Sequence, residues 1–224
     1  MIINETKVDT FHICNTHSSD QFPTIAKKRG LLHKLIKGDL NKQFVVQLHG
    51  CIVKCPYYHT IKSSKSTKYY FNELVEEFGR AYKEHNVGVF HMVGGAPSLL
   101  MKDWCSIPMH LFPFHLFTSN LLLTEGKYDS SVLYTMGIKN ALYTINIKGV
   151  NSIDYKKNTG VNIDWLLFWN NFDKVVKSKL QFYVVFTNPD PEGIDKFKEN
   201  MILRYGENVL EDSFIIQYNN REAW

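Results

Sequence analysis

Apolar runs rich in β-branched and aromatic residues recur along the chain at 43–48, 87–93, 114–119, 141–147, 180–186 and 213–218, spaced by about 25 to 45 residues. Helical patterns fill the gaps between them. Alternation of this kind implies a parallel sheet with right-handed crossovers. Six such units predict an α/β fold: a partial (β/α)6 barrel of parallel strands with outer helices, not a closed barrel of eight.

The helices are legible from their apolar spacing. Phe71, Leu74, Val75, Phe78 and Tyr82 share one helix face, and Trp165, Phe168, Trp169, Phe172 and Val176 share another. A third helix is marked by Asp190 as N-cap, Pro191 in the first turn, Ile194, Phe197 and Met201 inward, and Gly206 past its end. In the amino-terminal forty residues, 7–14 reads as an edge strand. Residues 24–37 have helical spacing through Ile25, Leu32, Leu35 and Ile36, and Gly38-Asp39 ends it. A chain of 224 residues holds one substantial core. With no repeat and no low-complexity linker, the expectation is a single domain over 1–224, with an N-terminal extension (1–40) and a βα core (41–224).

Met1-Ile2-Ile3-Asn4-Glu5 lacks a basic start and a long apolar run, so no secretory leader is expected. No stretch approaches the roughly 18 apolar residues of a membrane span. Four cysteines without a small disulfide framework fit a reducing compartment, and the expected location is the cytoplasm. The net charge of +4 is modest. Its local concentration is Lys62, Lys65 and Lys68, interleaved with Ser63, Ser64, Ser66 and Thr67 and followed by Tyr69-Tyr70. Such a patch can bind phosphate and stack on bases. It reads instead as a solvated loop, equally suited to an acidic small molecule or peptide, and neither nucleic acid nor membrane is expected as a partner.

In barrels and open α/β sheets, chemistry sits at the C-terminal ends of the strands. Four segments at such ends stand out. Run 43–48 leads into Gly50-Cys51-Ile52-Val53-Lys54-Cys55-Pro56-Tyr57-Tyr58-His59; run 87–93 leads into Gly94-Gly95-Ala96-Pro97. Run 114–119 leads into Asn120 and an apolar turn. Run 141–147 ends in Lys148-Gly149, and Asp154-Tyr155-Lys156-Lys157-Asn158-Thr159-Gly160 follows. Two cysteines four apart on a short loop after a strand suit an iron-sulfur cluster, which is held by soft, deprotonated thiolates. A C-x3-C pair also suits a zinc site or two ordinary thiols.

In this order the segments resemble the radical S-adenosylmethionine (SAM) superfamily, and within it the branch typified by the pyruvate formate-lyase activating enzyme, over roughly residues 40 to 200. Cys51 and Cys55 match two of the three cysteines of the C-x3-C-x2-C cluster loop, and Tyr58 stands at the third. Gly94-Gly95-Ala96-Pro97 resembles the GGEP motif that meets the SAM amino group, with Ala96 in place of Glu; backbone carbonyls make most of that contact. Ser119-Asn120 looks like the T-N-G strand end, with Leu121 replacing the glycine. Asn146-Ile147-Lys148 is similar to the D-x-K strand end, with Asn146 for Asp. Tyr155 and Thr159-Gly160 fall where the branch carries F/Y/H-x-x-x-T-G.

The resemblance implies a 4Fe-4S cluster on Cys51 and Cys55, with Tyr58 or His59 in the third place. It implies SAM held by Gly94, Gly95, Ala96, Pro97, Ser119, Asn120, Asn146 and Lys148. The activity implied is cleavage of SAM to a 5′-deoxyadenosyl radical that takes hydrogen from a peptide, a protein or a small molecule. An electron donor such as flavodoxin or ferredoxin would be the partner.

Tyr58 departs from that pattern. A phenol is a hard ligand and resists ionisation at neutrality from a reference pKa of about 10. His59 offers a better-suited nitrogen, although the branch carries a His after its third cysteine without using it as a ligand. Cys14 and Cys105 are alternative thiolates, although Cys105 reads rather as a buried helix cysteine. His91 and His115 sit in apolar runs and read as satisfied core groups. Two further readings follow: a degenerate binding or regulatory module that keeps the barrel, and a metal-dependent barrel enzyme, with zinc as one metal, using Cys51, Cys55 and His59.

Overall fold

The computed structural model describes residues 7–18, 37–49, 51, 53, 55, 67–95, 98, 115–124, 128–130, 132–133, 141–178, 180–187, 189–207 and 214–217. Among them runs one sheet of eight strands. In chain order the elements are β1 (Lys7–Ser18), β2 (Asp39–Leu48), β3 (Thr67–Tyr70), α1 (Phe71–His85), β4 (Val87–Val93), β5 (Leu116–Leu121), β6 (Ala141–Ile147), α2 (Ser152–Thr159), α3 (Trp165–Lys177), β7 (Phe182–Thr187), α4 (Pro191–Tyr205) and β8 (Phe214–Gln217). The strand order is β3-β1-β2-β4-β5-β6-β7-β8, so the sheet is open, with β3 and β8 at its edges. Strands β2, β4, β5, β6, β7 and β8 are mutually parallel, each beside its predecessor in that series.

The six parallel strands are those expected, and β4 and β6 have the expected bounds. β5 lies two residues later than its apolar run, because Asn120 and Leu121 continue the ladder against Thr144 and Ile145. At the other edge β1 runs on to Ser18 and pairs antiparallel with β2. The end of the basic segment is a strand as well as a solvated stretch: β3 pairs antiparallel with β1 over Thr67 to Tyr70 and covers its outer edge. β-branched Thr67 and the tyrosines suit a strand once that neighbour is present. The helix expected from residue 24 lies, up to residue 36, outside the described residues, as do Ala96, Pro97, Tyr58, His59 and Cys105.

One face of the sheet packs on the helices. Phe44, Val46, Phe90, Met92, Phe117, Tyr143, Ile145, Val184 and Phe186 meet Leu74 and Phe78 of α1, Phe168 and Phe172 of α3, and Phe197 of α4. Each side chain of this size withdrawn from water contributes about 1.5–3 kcal/mol. The rings interlock: Trp169 stacks on Phe197 at 5.1 Å, and Phe186 meets Phe197 edge-on at 5.4 Å. α1 ends at Asn86 in the left-handed region (φ 56°), which asparagine tolerates, and β4 starts at the next residue. Asp164 caps α3, its carboxylate accepting the Leu166 N–H at 2.8 Å. Asp190 occupies the N-cap of α4 as expected, but its side chain makes no capping hydrogen bond.

The other face carries a smaller apolar cluster of Val89, Leu116, Leu142, Tyr183 and Val185, with Leu40 beside it. Burial pushes the Tyr183 phenol up to about 12. Among the described residues no helix is long and apolar enough to cross a membrane.

Candidate functional site

A cavity opens at the C-terminal ends of the parallel strands. Its wall is Cys51, Val53 and Cys55 after β2, Gly94 and Gly95 after β4, Asn120 and Leu122 at the end of β5, and Asn146 and Lys148 at the end of β6. Four consecutive strands of the parallel series therefore each deliver one segment to the same space.

Gly94 and Gly95 both have positive φ, 68° and 51°. A side chain would be strained at either position, and its absence leaves the backbone of this turn bare to the cavity. The cysteine segment is held from behind. Val53, Cys55, Leu122 and Tyr155 form a buried cluster, against which Cys51, Val161 and Ile163 pack. Tyr155 also donates its hydroxyl to Thr124 Oγ1 at 3.3 Å.

The cationic wall is built on β6 and β7. Lys148 donates to Thr187 Oγ1 at 3.4 Å, and the Thr187 hydroxyl donates to Asn146 Oδ1 at 2.9 Å. Burial lowers the Lys148 pKa from its ordinary value, while the adjacent Cys55 and Cys51 act in the opposite direction. Asp154, buried on α2, ties these strand ends together. Its carboxylate accepts the backbone N–H of Val150 at 3.0 Å, that of Asp190 at 3.0 Å, and the Asn158 amide at 3.1 Å. Asn158 in turn donates to the Lys148 carbonyl at 2.8 Å. Gly149 permits this contact: a Cβ there would fall 2.5 Å from Tyr155 Cα and 2.8 Å from the Asp154 carbonyl carbon.

Solved structures share this architecture. Native anSMEcpe with bound AdoMet matches with a TM-score of 0.50 and 19% identity, over 76% of this chain and 48% of that one. The fold is the radical SAM partial barrel. Also similar are the cobalamin-dependent S-adenosylmethionine radical enzyme OxsB (TM-score 0.47, 13% identity, 71% of this chain and 26% of that one) and Streptococcus suis SuiB (TM-score 0.39, 11% identity, 77% and 47%). The chain spans about half the length of anSMEcpe and SuiB, and about a quarter of OxsB. No protein-family model matches the sequence, and no curated protein matches it significantly.

Within this radical SAM partial barrel, the structure brings Cys51, Cys55, Gly94, Gly95, Asn120, Asn146 and Lys148 together around one cavity. Ser119 does not join them. Side chains alternate along a strand, so with Asn120 at the cavity Ser119 faces the helix layer, where it is fully buried between Phe117 and Leu121. Thr159 and Gly160 stand outside the wall too. The Thr159 hydroxyl donates to the Tyr155 carbonyl at 2.7 Å, and Gly160, with φ 71°, terminates α2. Tyr58 and His59 lie outside the described residues. Among the described residues no three His, Cys, Asp or Glu side chains gather as a metal site.

The two strand histidines differ. His91 bonds through Nδ1 to Gln43 Oε1 at 2.9 Å, as a satisfied group would. His115 is a correction: it lies at a bend before β5, and both ring nitrogens are buried with no hydrogen-bond partner. Its neighbours are ring edges, Phe78 at 5.0 Å and Tyr82 at 4.7 Å. Burial, and secondarily the charge of Lys37, lowers its pKa. Asp154, Asn158 and Thr187, which organise the site, carry no spacing signal in the sequence. An acid and an amide four apart, just before Thr159-Gly160 at the end of α2, was the only mark available for the first two.

Proposed function

We propose that this chain is a radical SAM protein that binds SAM in the cavity and uses a 4Fe-4S cluster on the Cys51–Cys55 side of it. The convergence of Cys51, Cys55, Gly94, Gly95, Asn120, Asn146 and Lys148 from four strand ends carries this reading. The donor set suits an amino-acid cosubstrate. A lysine ammonium matches a carboxylate, bare glycine backbone suits an ammonium, and two asparagine amides suit neutral polar atoms. That AdoMet is bound in the anSMEcpe structure supports the same assignment. Cys51 and Cys55 fit two of the thiolate positions of a cluster, and the third falls to Tyr58 or His59. When bound and reduced, the cluster supplies the electron that cleaves SAM to a 5′-deoxyadenosyl radical.

The chain's own residues would then have distinct tasks. Lys148, positioned through Thr187 and Asn146, and Asn120 would orient SAM; Gly94 and Gly95 would receive its amino end; Val53, Leu122 and Tyr155 would exclude water from the thiolates. Hydrogen abstraction from a peptide, a protein or a small molecule, with flavodoxin or ferredoxin as electron donor, is the activity this predicts. Tyr58 favours a second reading, a barrel that retains SAM binding with impaired catalysis.

Anaerobic reconstitution of the wild type and of Tyr58→Cys separates the readings. Iron, sulfide, SAM binding and 5′-deoxyadenosine yield are measured on both. SAM binding by both proteins, with more iron and more 5′-deoxyadenosine in Tyr58→Cys, is the expected result. One zinc per chain without sulfide would move the assignment to a metal-dependent enzyme on Cys51, Cys55 and His59. Failure of both proteins to bind SAM or assemble a cluster would end the radical SAM reading of function.

A further inference from the structure

β6 and β7 end in a hydrogen-bond relay whose direction is fixed by donor count. Val185 pairs with Asn146, so by alternation Thr187 stands on the same sheet face, one step nearer the C-terminal ends of the strands. Lys148 can only donate, and it gives one N–H to Thr187 Oγ1 at 3.4 Å. Thr187 is 1% exposed, so its own proton needs a partner within the fold, and Asn146 Oδ1 at 2.9 Å receives it. The opposite orientation of the Asn146 amide would set its NH2 against an oxygen already accepting from Lys148. The buried hydroxyl proton would then be left unmet, which is costly.

With Oδ1 engaged, the donor half of the Asn146 amide is what remains for the cavity. Asn146 and Lys148 both line its wall. Asn146 Nδ2 has no hydrogen-bond partner among the described residues, and it is not sealed from solvent. The ionisable side chains of the described wall are Cys51, Cys55 and Lys148, so no carboxylate on it offsets the ammonium. An aspartate at 146, as in the D-x-K pattern that this segment resembles, would do so. The amide instead adds a second donor beside the cation, and two such donors suit an anion with two oxygens.

We propose that Thr187 is a positioning residue that makes Asn146 a donor toward the cavity, so that Asn146 and Lys148 together grip a carboxylate. The inference deepens the proposed function and rests on it only for naming SAM as a carrier of that carboxylate; a carboxylate of the substrate has the same chemistry.

The test uses the full chain before cluster reconstitution, with acetate as the probe. Binding is followed by ¹H–¹⁵N NMR on the Asn146 side-chain NH2 signal, assigned by its absence in Asn146→Leu, and on the Lys148 backbone amide. Acetamide and methylammonium at equal ionic strength are the controls. A saturable shift with acetate alone is expected. Thr187→Val, which keeps the shape without the hydroxyl, should weaken acetate by about fivefold to tenfold, and Thr187→Ser should restore it. Asn146→Asp, which restores the D-x-K pattern, should weaken acetate by about tenfold or more, because a like charge replaces a donor. No saturable acetate shift in the wild type, unchanged affinity in Thr187→Val or Asn146→Asp, or an equal response to either control would overturn the proposal. So would a loss in Thr187→Val that Thr187→Ser fails to rescue, since the residue would then act by packing alone. Competition identifies the carrier. Displacement of acetate by SAM but not by decarboxylated SAM assigns the carboxylate to SAM, whereas acetate that stays bound beside SAM assigns it to a substrate, and the grip holds in both. Acetate binding by a protein that fails to bind SAM would end the proposed function and leave this inference standing.

Discussion

The Asp154 carboxylate accepts the backbone N–H of Asp190 at 3.0 Å, joining residues 36 apart in sequence. The same oxygen accepts the Val150 N–H at 3.0 Å. Through this one atom the segments leaving β6 and β7 are fixed to α2 beside the cavity wall that carries Lys148.

Asp154→Ala leaves two backbone N–H groups without their acceptor. A stability loss on the order of 3 kcal/mol is expected from urea unfolding, with a smaller loss for Asp154→Asn, which retains one acceptor oxygen. Under the proposed function, SAM affinity falls in both variants before the fold is lost. Stability unchanged in Asp154→Ala would show that water replaces the carboxylate.

Gly95→Val places a β-branched residue at φ 51° in a turn that faces the cavity. SAM binding by calorimetry should weaken, while the far-UV circular dichroism stays that of the wild type, because the change adds local strain outside any helix or strand. Equal affinity in the variant would assign the glycines to strand termination alone.

Cys51→Ala and Cys55→Ala should each abolish the brown chromophore of the anaerobically reconstituted protein. Cys55 is 4% exposed and packs with Val53, Leu122 and Tyr155, so its replacement also lowers the melting temperature more than that of half-buried Cys51. Full iron content in either variant would remove the cluster from this loop.

His115 predicts acid sensitivity. Burial holds its folded-state pKa below the ordinary 6.5, so the unfolded chain takes up a proton that the folded chain resists. The stabilising contribution is complete above pH 6.5 and is lost as pH falls from there toward the lowered folded value. His115→Phe keeps a ring against Phe78 and Tyr82 and removes the proton. The drop in urea midpoint between about pH 7.5 and about pH 5.5 should therefore shrink in the variant. An unchanged drop would place the acid sensitivity elsewhere.

What was legible in the sequence divides along the range of the forces involved. Val87–Val93 and Ala141–Ile147 are continuous apolar strands with turn residues at their ends, and their bounds were readable. So were α1 and α3, whose apolar faces repeat at helical spacing. β3 was hidden because its Lys68 and neighbouring polar residues read as a loop, and the strand exists through pairing with distant β1. α2 has no apolar stripe; Asn151 caps it, and Asp154 and Asn158 hold it by contacts to the segments that follow β6 and β7. Ser119 and Asn120 show the limit within a motif. Both were expected at the cofactor, and a strand presents only one of two adjacent residues to a given face.

The strand order has a consequence for how the molecule is made. From β2 to β8 each parallel strand lies beside the one synthesised before it, so no strand must later be inserted between two already paired. The sheet can grow by accretion as the nascent chain emerges, with β1 and β3 closing the opposite edge early. The wall bearing Cys51 and Cys55 is then laid down first, the glycine turn next, and the Lys148 wall only after residue 148 has been added. A chain arrested before β6 would present thiols without the cation that faces them in the finished protein.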